Sequence, residues 1–162
     1  MALVKHKLFP YYIIAALLVL VTAGSFARPV ALGNVVNPTF GTVVGGPSGQ
    51  NFILNTDGTI SGTNAADYIL GASPGSIQIV GDNNAAIDIL ATNLGSDGGV
   101  TIVNVTCNYN NNGDQDCDLG FTDLAKPGQG SDMTIGLEIN TTQLHGDNDT
   151  AAPSFDIVVN YI

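Results

Sequence analysis

An antiparallel β-sandwich is the fold this sequence predicts, and three observations predict it. Apolar and polar residues alternate at period two in stretch after stretch. Turns rich in Gly, Pro and Asp separate those stretches at roughly ten-residue spacing. Beyond residue 27, no window carries a convincing helical period.

The opening of the chain reads differently. Lys5, His6 and Lys7 form a basic start, Tyr11 to Val21 an apolar run, and Ala23-Gly24-Ser25-Phe26-Ala27 a small-residue exit. That order is a secretory signal peptide, and residues 1–27 are assigned to it. The apolar run is shorter than the about 20 residues that span a bilayer, and an uncleaved anchor is the bland alternative. Cleavage after Ala27 leaves Arg28 first and 162 − 27 = 135 residues, enough for one domain with its own core. Residues 28–36 form an N-terminal arm, and residues 37–162 the β-sandwich domain.

Each strand of the domain has its own signature. Ile77 and Ile79 flank Gln78, and Ile87 and Ile89 flank Asp88. Val103, Val105 and Cys107 alternate with Asn104 and Thr106. Met133, Ile135, Leu137 and Ile139 alternate with Thr134, Gly136 and Glu138. Phe155, Ile157, Val159 and Tyr161 alternate with Asp156, Val158 and Asn160. Such strands bury one face and wet the other, as antiparallel strands do. Between them, Gly45-Gly46-Pro47-Ser48-Gly49, Asp57-Gly58, Ser73-Pro74-Gly75, Asp97-Gly98-Gly99 and Pro127-Gly128 read as turns. Asp57-Gly58 joins Phe52–Asn55 to Thr59–Ser61 as a hairpin. Asn83-Asn84-Ala85-Ala86 is the one place where a short helical turn could begin.

Charge narrows the partners. All 14 acidic residues follow the leader, where only Arg28 and Lys126 oppose them, so the exported chain carries 2 − 14 = −12. It repels phosphate backbones and anionic bilayers, which excludes nucleic acid and, after leader removal, membrane as expected partners. The acids are scattered single residues, a solvated surface that favours solubility.

Cys107 and Cys117 are the only cysteines, and in an exported chain an even pair reads as a disulfide. Closing so short a ring stabilises by about 2.7 kcal/mol on chain-entropy reasoning. Through it, and one residue past it, runs an oxygen-rich segment. Asn108, Asn110, Asn112, Asp114, Asp116 and Asp118 place an oxygen at every second residue, and Gly113 falls where a calcium loop turns sharply. The first three ligand places are neutral and the closing bidentate glutamate of an EF-hand is missing. The expectation is a disulfide-pinned polar hairpin, with weak, millimolar calcium binding as the alternative and no other cofactor.

Catalytic signals are thin. Gly71-Ala72-Ser73-Pro74-Gly75 matches a G-x-S-x-G elbow in letters. That motif needs an amide N–H after the serine and a following helix. Pro74 has no N–H, so the run reads as a turn. His145 lies near Asp147 and Asp149 but has no marked nucleophile. Lys126 reads as a surface residue. The chain has a single glutamate, Glu138, no tryptophan, and only Tyr68, Tyr109 and Tyr161 after the leader, a poor supply for glycosidase chemistry or sugar platforms. The expectation is a protein that is not an enzyme. The sequons at Asn104, Asn140 and Asn148 read as β-surface residues.

Several of these segments carry a family likeness. Phe40-Gly41-Thr42-Val43-Val44, the Gly-rich turn, Asp57-Gly58-Thr59 and the final Phe155-Asp156-Ile157-Val158-Val159-Asn160-Tyr161 resemble a bacterial exported β domain of unknown function, the family numbered four-four-zero-two among such domains. The likeness runs from about Asn37 to Ile162. This chain has Asp147–Pro153 where the family has a Gly-Thr-Tyr-like turn, and its cysteine loop looks like a local insertion. The resemblance implies a secreted or surface sandwich with no established activity. A second likeness is to chaperone–usher pilins, whose last strand alternates and carries a penultimate tyrosine, as Tyr161 is here. It implies an Ig-like or pilin-like sandwich. In that reading Val30 and Leu32 of the arm and Phe155, Ile157, Val159 and Tyr161 of the last strand take part in strand addition, to another copy or to another surface subunit. The bland alternative makes Val30–Val36 the domain's own first strand. The functional expectation is an exported, fimbria-like structural subunit in the extracellular space, at the cell surface or in the periplasm. A secreted binding module for a glycan or a protein, calcium-dependent or not, is the alternative.

Overall fold

The computed structural model describes residues 28–43, 48–62, 69–142 and 150–162. These residues are almost entirely β, in antiparallel sheets that pack as a sandwich. Among them no helix is long and apolar enough to cross a membrane.

The larger sheet is organised by its two longest strands, β9 (Val100–Tyr109) and β12 (Ser131–Thr141). They pair along nearly their whole length, from Met133–Tyr109 to Thr141–Val100. The other edge of β12 is shared. Its first half pairs with β6 (Gly75–Val80) and its second half with β3 (Gln50–Leu54). Gly136 sits at the junction. A Cβ there would lie 2.4 Å from the Leu54 carbonyl oxygen, so the two half-partners meet only around a residue with no side chain. Outside β6 lies β1 (Ala31–Val36), and outside β3 lies β4 (Ile60–Gly62). Two short strands, β8 (Ser96–Asp97) and β10 (Gln115–Asp116), border β9.

The smaller sheet has β7 (Ile87–Thr92) in the middle, between β11 (Phe121–Leu124) and β13 (Asp156–Tyr161). A two-residue ribbon, β2 (Thr42–Val43) with β5 (Ile69–Leu70), stands apart.

The core lies between the two sheets. Ile77, Ile79, Val105, Cys107, Met133, Ile135, Leu137 and Ile139 enter it from the larger sheet, and Ile87, Ile89 and Ala91 from the smaller. Ile157, Val159 and Tyr161 of the edge strand β13, and Phe155 just before it, also turn toward it and are half-buried. The alternation read from sequence thus falls on real sheet faces, with one correction. Val103 is 46% exposed and Ile102 is buried in its place. The pairing of β9 with β12 slips there, Glu138 opposing Asn104 and Ile139 opposing Ile102. Val103 is the extra residue of a β-bulge, which inverts the phase of the strand. A strict period-two reading across 102–107 therefore chooses the wrong valine.

The turns fall where turn chemistry put them. Gly58 donates to the Asn55 carbonyl at 3.0 Å, closing the β3–β4 hairpin. Gly98 and Gly99, both at positive φ, make the two-residue connection from β8 to β9. Gly130 donates to the Pro127 carbonyl at 3.0 Å. Asn83 and Asn84 form a bend rather than a helical turn. Residues 44–47 of the Gly-rich turn lie outside the described residues.

Candidate functional site

Two places gather the residues singled out by sequence: the cysteine loop and the seam where both ends of the domain meet. At the loop, Cys107 and Cys117 are bonded and fully buried, with Cα atoms 5.7 Å apart, a normal disulfide span. Cys107 lies on β9. Cys117 opens the 3-10 turn η1 (Cys117–Leu119) that leads into β11. The bond thus staples the larger sheet to the entry of the smaller one.

The chain between the cysteines is shaped by asparagine and glycine. Asn110 and Asn111 both have positive φ, 54° and 58°, and Asn112 donates to the Tyr109 carbonyl at 3.1 Å. Asparagine tolerates this left-handed region better than other side-chain-bearing residues. Gly113, with φ of 96°, takes the sharp turn expected of it. The Asn110 amide donates to the Asp132 carbonyl at 2.9 Å, docking the tip on β12.

The loop carboxylates already have donors. Asp114 Oδ1 accepts from Asn108 Nδ2 at 3.0 Å and from Thr56 Oγ1 at 2.6 Å. Asp116 Oδ1 accepts from Asn104 Nδ2 at 3.1 Å. Asp118 lies beyond the disulfide, in η1, and its Oδ1 is buried with no hydrogen-bond partner, as are Asn104 Oδ1 and Asn108 Oδ1. Asn110 and Asn112 are exposed. Among the described residues no group of three or more His, Cys, Asp or Glu side chains is placed to hold a metal ion. Asp114 and Asp116 thus serve a turn and a ladder, with Thr56 and Asn104 as partners that sequence reading missed. Thr56 sits 58 residues away from Asp114, so no local pattern could have revealed it.

Tyr109 closes the inner side of the loop. Its ring is buried, and its hydroxyl donates to the Ala125 carbonyl at 2.8 Å. Burial pushes the phenol above its ordinary range, against a smaller opposing effect of the Ser131 hydroxyl. In the neighbouring β3–β4 turn, bonds from the Thr59 hydroxyl and amide hold the Asp57 carboxyl below its usual range.

At the second place, β1 lies on its own domain. Ala31, Leu32, Gly33 and Val36 pair antiparallel with Val80, Ile79, Gln78 and Ser76. The register shifts between Gly33 and Val36, so Asn34 and Val35 have no ladder partner on β6. Val30 packs against the core edge, whereas Leu32, Val35 and Val36 are 42, 56 and 54% exposed. On the other sheet, Tyr161 reaches across from β13. Its hydroxyl accepts the Asp82 N–H at 2.6 Å and donates to the Arg28 carbonyl. The penultimate tyrosine singled out by sequence therefore ties the last strand to Arg28, at the start of the arm.

The remaining nominated residues stand apart. Ser73 is exposed, forms an isolated bridge with Thr39, and is followed by strand β6 rather than by a helix. That is turn geometry, not a nucleophile elbow. Lys126 is exposed. Tyr68, His145, Asp147 and Asp149 lie outside the described residues. No protein-family model, curated protein or solved structure matches the chain.

Proposed function

We propose that this protein is an exported, non-enzymatic structural subunit that associates through β-strand edges, at a cell surface or in a fimbria-like array. One observation carries the reading, the character of β1 as an edge. Protein sheets guard their edges with short strands or with charges. Here β4, β8 and β10 have three, two and two residues. The longer edges β11 and β13 include Asp123 and Asp156. β1 alone among the described edge strands of more than three residues has no charged residue, in a run Ala-Leu-Gly-Asn-Val-Val. Its apolar side chains are exposed, and its outer edge pairs with no described strand. Such an edge is a template for another chain.

Microscopy of the native cell surface with an antibody to this protein tests the role. Labelled filaments or a labelled surface layer are expected. Antigen found only as dispersed soluble protein would overturn the structural reading.

A second reading, a calcium-dependent binding module, draws on the buried, unpartnered Oδ1 atoms of Asn108 and Asp118 near the cysteine loop. Millimolar affinity is what so few charges would give. Calorimetry with calcium on the native chain and on Asp114→Ala/Asp116→Ala tests it. Heat lost in the variant supports a site, and no heat from the native chain removes it.

A further inference from the structure

The seam at Arg28 has a chemistry that strand pairing does not explain. The Arg28 backbone nitrogen donates to Asp82 Oδ2 at 3.3 Å. Its carbonyl and the Asp82 N–H are held by the same Tyr161 hydroxyl. These bonds bring together the start, the middle and the end of the domain, at sequence separations of 54, 79 and 133 residues. Arg28 lines a shallow open depression together with Gly81, Asp82, Asn83, Asn84 and Gln129. The floor is tightly built. The Gly81 amide donates to the Gly128 carbonyl at 3.0 Å, and a Cβ on Gly81 would lie 2.4 Å from the Tyr161 hydroxyl and 2.8 Å from Pro127. A glycine forced by close approach, a carboxylate and a twice-bonded phenol thus gather around Arg28, the carboxylate on its nitrogen and the phenol on its carbonyl.

We propose that this depression is the docking site for the α-ammonium group that export creates, with Asp82 as its counter-ion. The proposal rests on export with cleavage after Ala27. Hydrolysis by a signal peptidase breaks the Ala27–Arg28 C–N bond. The water hydroxyl goes to the Ala27 carbonyl carbon and its proton to the Arg28 nitrogen. The freed amine takes a second proton from solvent at neutral pH, because an α-amino group titrates at about 8. One neutral N–H donor becomes a cation with three donors, facing a carboxylate already within reach. A charge-assisted bond is roughly twice as strong as a neutral one. Among the described residues lining the depression, Asp82 supplies the carboxylate and Arg28 the guanidinium, and Tyr161 is the adjoining phenol.

The consequence falls on β1, which begins at Ala31, three residues after the gripped Arg28. Leader removal tightens the hold on the arm and keeps β1 on its own β6. Strand addition by the outer edge of β1, which no described strand pairs, survives this lock. Exchange of the whole arm between copies must happen before cleavage or must break the seam.

The test uses protein exported and processed by a host, purified without a tag at the mature end. Intact mass first fixes the new terminus, and a start other than Arg28 refutes the cleavage position, not the chemistry of the depression. With Arg28 first, an amine-reactive ester labels the α-amine at pH 7, and the site of labelling is read by peptide mass. Only unprotonated amine reacts, so a held ammonium labels slowly. Asp82→Asn is expected to label about tenfold faster than the native protein, which corresponds to one pK unit. Asp82→Glu keeps most of the protection, and the exposed control Asp132→Asn labels at the native rate. Equal rates for native protein and Asp82→Asn overturn the proposal. If Asp82→Asn does not accumulate, native protein labelled folded and in denaturant decides. A rate at least tenfold lower when folded supports the site, and equal rates overturn it.

Discussion

β12 and β1 are both rich in aliphatic residues and behave differently as strands. β12 alternates them with polar or small residues, and β1, Ala-Leu-Gly-Asn-Val-Val, does not. β12 is paired on both edges and its apolar side chains are sealed between two sheets. β1 pairs with β6 on one edge, through a bulged ladder, and with no described strand on the other, and it exposes most of what it has. Periodicity tells which side chains share a face. It does not tell whether that face is covered. That depends on where the strand is placed in the sheet, which is decided by partners far away in the chain.

The contrast is sharpest at matched aliphatic positions. Ile135 is 2% exposed at the centre of β12. Ile135→Ala is expected to lower unfolding stability by about 4 kcal/mol, through lost transfer energy and a cavity the rigid sheet cannot close. Denaturant unfolding reads it, and a loss below about 1 kcal/mol would mean the sandwich core is loose. Removing the staple comes next. Cys107→Ser/Cys117→Ser should lower stability by about 3 kcal/mol, with the peptides of β11 and η1 gaining the fastest hydrogen exchange. Exchange that rises evenly over the whole domain would show that the bond does not act at the joint between sheets.

Tyr161→Phe keeps the ring and deletes the hydroxyl that joins Arg28 to Asp82. The expected cost is about 1 kcal/mol. Hydrogen exchange should quicken in β1 while β12 stays protected, and unchanged β1 exchange would show that the arm is held by its ladder alone. The smallest effect belongs to Leu32→Ala. A side chain 42% exposed on an edge strand should cost no more than about 0.5 kcal/mol in the isolated domain. A cost as large as that of Ile135→Ala would mean that Leu32 is covered in solution.

The same contrast explains what sequence could and could not convey. The buried faces of β6, β7, β12 and β13 were legible because one apolar residue in two marks a half-buried strand. The β3–β4 hairpin was legible because Asp57-Gly58 is local turn chemistry. Val103 was misread because a bulge adds one residue without any mark in composition. β11 is too short for its pattern to stand out, and β1 gave no sign of whether its partner was its own β6 or a neighbour's. The disulfide was legible from two cysteines and the expected compartment. The Tyr161–Arg28–Asp82 seam was not, because its members are spread over the whole domain and only the fold unites them. Tyr161 was marked as penultimate, but nothing in the sequence announced its two bonds.

Light scattering of the processed protein over a wide concentration series tests edge association most directly, with native β1 and with Leu32→Lys/Val35→Lys. Lysines on an exposed edge block strand addition and leave the core untouched. Association through β1 predicts that the native protein grows beyond the monomer as concentration rises and that the charged variant, equally stable, does not. A native protein that stays monomeric at the highest concentration, or a variant that assembles just as well, would contradict it.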